Sequence, residues 1–116
     1  TLLSVAAPIS AQSKPNITRE ESKECMYVTA PFILVAKRTD RAMAEQFKET
    51  AHFWAKTSDA LGPTSKADAD YSWKRLNQVS DEFNALQSEA EYPAFLAKYQ
   101  PAFDACEEKR KAIQGE

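Results

Sequence analysis

The sequence predicts an all-α protein, an up-down-up-down four-helix bundle whose first and last helices bend at proline and share one disulfide. Three observations carry that expectation. The 116 residues are 43% hydrophobic and 28% charged, an ordinary globular mixture, and they are rich in Ala but poor in Val, Ile and Gly. That balance favours helix over sheet. Four segments repeat apolar side chains every three or four residues, each opened by a capping residue or a proline. Such a repeat is the mark of an amphipathic helix. Finally, one cysteine falls in the first of these segments and one in the last.

The amino end reads differently. Residues 1–11 carry no charge and are small or apolar, like the tail of a signal-peptide hydrophobic region. Ile9 and Ala11 suit the −3 and −1 positions of a signal peptidase site, which would leave Gln12 as the new terminus; Pro8 disfavours a cut after Ala7. A short arm packed on the domain is the plainer alternative. Residues 12–18 are polar, contain Pro15 and read as a flexible lead-in. Asn16-Ile17-Thr18 matches a glycosylation sequon, but Thr18 is better explained as a helix cap. The single bundle domain is expected over 19–116.

The first helix opens with a capping box, Thr18 with Glu21. Cys25, Val28, Phe32 and Val35 form its stripe, with Ile33 and Ala36 beside them, and Pro31 should kink it without ending it. Thr39-Asp40 caps the second helix. Met43, Phe47, Thr50, Trp54 and Leu61 lie on one face of it, and Gly62-Pro63 ends it with glycine in the left-handed position. Ser65 with Asp68 opens the third, whose stripe runs Ala69, Trp73, Leu76, Val79, Phe83, Leu86, Ala90. Tyr92-Pro93 opens the fourth, with Phe95, Tyr99, Phe103, Cys106 and Ile113 on one side, Pro101 as a second bend and Gly115 as the stop.

Cys25 and Cys106 are the most informative pair. Two cysteines in an exported chain usually bond to each other. In an antiparallel bundle the start of helix one lies beside the end of helix four, and at ~1.5 Å per residue Cys25 and Cys106 fall at one level, ~9 and ~12 Å from those ends. Trp54 and Trp73 fall at the same height, which predicts a single core layer of the disulfide and both indoles.

Chemistry is sparse. The net charge of −2, from 15 Lys and Arg against 17 Asp and Glu, offers no basic excess for nucleic acid. No run nears the ~18 apolar residues of a membrane span. The single histidine, His52, sits among Glu45, Lys48, Glu49 and Lys56 on the polar face, and so reads as a surface residue rather than a metal or haem ligand. Met43 reads as core. Neither a Cys-x-x-Cys pair nor a glycine-rich phosphate loop is present in the sequence. No catalytic residue, metal ligand or cofactor is expected. Pro31 and Pro101 should fall at one height, and paired kinks can open a pocket, here lined by Phe32, Tyr99 and Phe103. Two independent bends are the plainer reading.

Glu24-Cys25, Ala51-His52-Phe53-Trp54 and Cys106 give the chain a resemblance to a group of small exported two-cysteine helical proteins of alphaproteobacteria, of the sphingomonad type. That group usually has Gly-Arg after the aromatic pair, where this chain has Ala55-Lys56. The resemblance implies an exported helical protein and supplies no activity. The expectation is therefore a periplasmic or secreted, non-enzymatic bundle that binds a protein partner or a small apolar ligand. The alternative is a periplasmic acid-stress chaperone of HdeA-like type, which the abundant carboxylates permit.

Overall fold

The computed structural model describes residues 17–115. The expected signal-peptide segment, 1–11, and most of the lead-in lie outside those residues. The described chain is helical throughout: α1 (Arg19–Thr39), α2 (Arg41–Leu61), α3 (Lys66–Asn84), a short 3-10 turn (Glu89–Glu91) and α4 (Tyr92–Gln114). Cys25 and Cys106 lie at disulfide distance, Sγ to Sγ 2.14 Å, and join α1 to α4.

The caps follow from the sequence. Thr18 Oγ1 accepts the Glu21 N–H at 3.1 Å, and Glu21 Oε1 accepts the Thr18 N–H at 2.9 Å. Asp40 alone separates α1 from α2. Its N–H donates to Ala36 O at 2.7 Å, closing α1, and its carboxylate accepts the Met43 N–H at 3.1 Å, opening α2. Ser65 and Asp68 form the second reciprocal box, at 3.1 and 3.2 Å. Pro93 sits in the first turn of α4, where a missing N–H costs nothing, and Gly115 ends the helix at φ 76°. Both α1 and α4 continue as helix through Pro31 and Pro101.

Gly62 departs from expectation. Its φ of 163° is extended rather than left-handed. Arg19 approaches it closely: a Cβ would lie 3.2 Å from Arg19 Cδ, and Arg19 Nε donates to Gly62 O at 3.3 Å. The third helix is also shorter than its stripe. It ends at Asn84, and Leu86 packs on the core from beyond the helix. Glu91 then accepts the N–H groups of Gln87 and Ser88, at 2.6 and 3.1 Å, and rounds off the turn before α4.

α1 is the central element and packs against α2, α3 and α4. Its buried residues therefore circle it, and include Ser22, Tyr27 and Thr29 beside the expected stripe. The hydroxyls of Ser22 and Thr29 are both satisfied. Ser22 Oγ donates to Trp54 O at 3.3 Å, and Thr29 Oγ1 donates to Cys25 O at 2.7 Å. Contacts along α1 and α2 run in opposite order: Arg19 meets Gly62, Ser22 meets Trp54, Phe32 meets Phe47. The same holds for α4, where Glu21 meets Lys109, Cys25 meets Cys106 and Phe32 meets Phe103. Along α3 the order is shared, from Arg19 with Asp68 to Arg38 over Phe83.

Two apolar clusters form the core. Ile17, Cys25, Val28, Trp54 and Cys106 make one, and Val35, Val79, Phe83 and Phe95 the other; Tyr99 abuts both. The expected layer of two tryptophans is thus half right. Trp54 is fully buried beside the cysteines, but Trp73 is 69% exposed. The reason is angular. Steps of three residues, from Val79 to Leu76 to Trp73, each fall ~60° short of a full turn and carry Trp73 ~120° away from the buried line. Met43 and Leu61, expected on the inner face of α2, are exposed at 41% and 45%.

Candidate functional site

The three aromatic residues singled out from the sequence do not share a pocket. Phe32 and Phe103 fill the space between α1 and α4 with their own rings, centroids 4.4 Å apart. Phe47 joins them from α2, at 5.6 Å from Phe32 and 5.7 Å from Phe103. Tyr99 lies elsewhere. It packs edge-on against Phe95 at 5.6 Å and donates its hydroxyl to Glu82. Burial first, and then the Glu82 carboxylate, push the Tyr99 phenol up to about 12.

The outer edge of the phenylalanine trio opens into a groove of about 400 Å³ between α2 and α4. Its floor is Phe47, Phe53 and Phe103; its rim is Gln46, Glu49 and Thr50 from α2 and Glu107, Arg110 and Gln114 from α4. Gln46, Thr50 and Phe53 recur at helical spacing and so look the same way. Phe103, Glu107, Arg110 and Gln114 do likewise from α4. Arg110 is held in place, donating to Glu107 at 2.9 and 3.1 Å and to Gln114. An aromatic floor with an amide and charged rim suits a ligand with an apolar body and a polar margin. Phe103 is a candidate from sequence reasoning. The rim is not legible that way, because each rim residue alone is an ordinary polar-face side chain.

A second groove, about 510 Å³, lies between α3 and α4 and includes Arg75, Gln78, Val79, Glu82 and Tyr99. Carboxylates tie the helices along this side. Glu82 bonds Lys98 as well as Tyr99. Burial works against its charge, but those two hydrogen bonds prevail and hold its carboxyl below the ordinary value. Glu21 accepts from Lys109 at 2.7 Å, and this bond, with the Thr18 N–H, brings its carboxyl down to about 2. Asp68 accepts the Ser65 N–H and faces Arg19 and Lys23 at 2.8 and 3.2 Å. Those partners hold its carboxyl well below the usual range.

His52 is exposed on α2. Among the described residues, no group of three His, Cys, Asp or Glu side chains gathers to hold a metal ion. Among the same residues, no helix is long and apolar enough to cross a membrane. No protein-family model, curated protein or solved structure matches the chain.

Proposed function

We propose that this is an exported, non-enzymatic helical binding module that takes a protein partner or a small apolar ligand in the α2–α4 groove. The observation that carries the reading is the groove between α2 and α4, where half-buried Phe47 and Phe53 lie between polar rims over the buried Phe103. In this reading residues 1–11 are the remnant of a signal peptide and the protein works in the periplasm or outside the cell. The cysteine pair at disulfide distance supports an oxidising compartment. So does the likeness to the exported two-cysteine group. The helices run up, down, up and down, which the order of contacts along α1 supports, and Pro31 and Pro101 bend the first and the last of them. Partner and ligand share one requirement, an apolar surface that can lie on the half-buried rings of Phe47 and Phe53.

The test is a titration with an environment-sensitive apolar dye and with medium-chain fatty acids. Saturable binding is expected for the wild type. Thr50→Arg, which places a long side chain across the groove, should abolish it while leaving the helical signal and thermal melt in place. Wild-type protein that binds neither probe saturably, or a Thr50→Arg variant that binds as well as wild type, would contradict the groove.

A second reading, an acid-stress chaperone, is favoured by the carboxylates that tie α3 to its neighbours, Asp68 to Arg19 and Lys23 above all. It predicts suppression of client aggregation in acid, which a rigid groove does not.

A further inference from the structure

The two halves of α3 are held by different forces. Val79 and Phe83, both in the carboxyl-terminal half, are the residues that α3 buries, and they pack with Val35 and Phe95. None of residues 66–78 is buried; Leu76 is half-buried. The ties of this amino-terminal half to α1 are polar or edge-on. Asp68 meets Arg19 and Lys23 at 2.8 and 3.2 Å. Glu24 accepts from Arg75 at 2.5 Å and from Tyr71 at 3.4 Å. The hydroxyls of Ser72 and Tyr27 bond each other. Tyr71 meets the Tyr27 ring edge-on at 6.1 Å, and the Arg75 guanidinium lies over it at 5.1 Å. Beneath this cover Tyr27 is only 1% exposed.

We propose that residues 66–78 form an acid-releasable flap over Tyr27, held to α1 by Asp68 and Glu24 and hinged where Val79 and Phe83 enter the core. Protonating Asp68 and Glu24 removes both anions from the seam. Arg19 and Lys23 on α1 then lose the carboxylate opposite them, and Arg75 on α3, two turns further along, loses its own, so the charge-assisted ties across the seam are gone. The hinge does not respond in the same way. Losing the Glu82 carboxylate weakens its hold on Lys98 and Tyr99, but the apolar packing of Val79 and Phe83 carries no charge. The Cys25–Cys106 link keeps α1 and α4 together, and protonation of Glu21 opposite Lys109 does not undo it. The expected acid form therefore has one loosened arm on an intact core and newly exposes Tyr27. The inference does not depend on the α2–α4 groove, which lies on other helices.

The direction in pH follows from Asp68. Its folded carboxyl is depressed, so its tie is fully present above the ordinary carboxylate value and fades as the pH falls towards the folded one. The tie is therefore weaker at about pH 1.5 than at about pH 4.

Pepsin works across that range and reads the flap directly. With the full chain, cuts at about pH 1.5 should fall within 66–78, near Tyr71, Trp73 and Leu76, at least ~tenfold faster than at about pH 4. Each cut product should stay disulfide-linked and separate into two fragments on reduction. A variant combining Lys23→Met with Glu24→Gln leaves the Ser65–Asp68 cap intact and should be cut in the same stretch already at about pH 4. Three results would overturn the proposal: acid cuts spread over every helix, a stretch 66–78 that stays uncut in acid, or a double variant as resistant as wild type at about pH 4.

Discussion

At the scale of single residues, the two tryptophans carry opposite weights. Trp54 is enclosed by the cysteine cluster, and its indole N–H finds no hydrogen-bond partner among the described residues. A buried polar hydrogen left in that state costs stability, so the ring's apolar contacts must outweigh it. Trp54→Ala should therefore cost ~3–5 kcal/mol, the range for emptying a packed aromatic site. Trp73→Ala should change stability by less than ~0.5 kcal/mol, because most of that ring is already in water. Paired urea melts of the two variants check this. Equal losses would mean that α3 is rotated from its described register. The sequence places both rings on stripes, and for Trp54 the stripe holds: it lies four residues from the buried Ser58 and seven from Phe47. For Trp73 it does not, since a row of three-residue steps drifts around a helix and only alternation with four-residue steps stays on one face. Ser22, Tyr27 and Thr29 were illegible for a different cause. Hydroxyl residues on a helix read as surface unless it is known that neighbours surround that helix on every side.

At the scale of elements, the boundaries were the most legible part, because caps are local chemistry. Thr18 with Glu21, Asp40, Ser65 with Asp68, Pro93 and Gly115 stand where the hydrogen bonds place the helix ends. The end of α3 was less legible. Leu86 continues the apolar spacing, and no glycine or proline lies near Asn84 to announce the break. Gly62 shows the same limit, since its role depends on Arg19 reaching it from the far end of α1. The two interior prolines differ in a way that only packing reveals. Pro31 is fully buried, while the ring of Pro101 is exposed. Each forgoes a backbone hydrogen bond and crowds the preceding turn. Pro101→Ala should restore that bond without emptying a packed site, and so should raise stability by ~1–3 kcal/mol. At Pro31 the same change also removes buried atoms, so its gain should be smaller. Chemical denaturation of both variants measures the difference, and a Pro101→Ala protein less stable than wild type would show that the ring supports the depression beside Leu96.

At the scale of the whole molecule, one helix organises the rest. α1 carries the disulfide to α4, the hairpin to α2 and the charged seam to α3. The bridge between Cys25 and Cys106 closes a loop of sequence separation 81, worth ~4 kcal/mol in the chain-entropy account, and it spans the chain from its first helix to its last. That is a large share of the ~5–15 kcal/mol by which a small domain is stable. Pairing the cysteines was within reach of sequence arithmetic because helix rise is constant and both ends of the argument were capped. The α2–α4 groove was not, because it is a relation between two helices. Phe47 and Phe103 close its base, and the polar residues beside them acquire meaning only when the two helices are set side by side. In the proposed function this seam is where the protein meets its ligand. The direct measurement is a backbone amide NMR titration of the disulfide-intact protein with a medium-chain fatty acid. A ligand seated between α2 and α4 should give saturable shifts that map to residues 46–53 of α2 and 103–114 of α4, with α3 unmoved. Shifts that never saturate, or that gather on α3 instead, would contradict it.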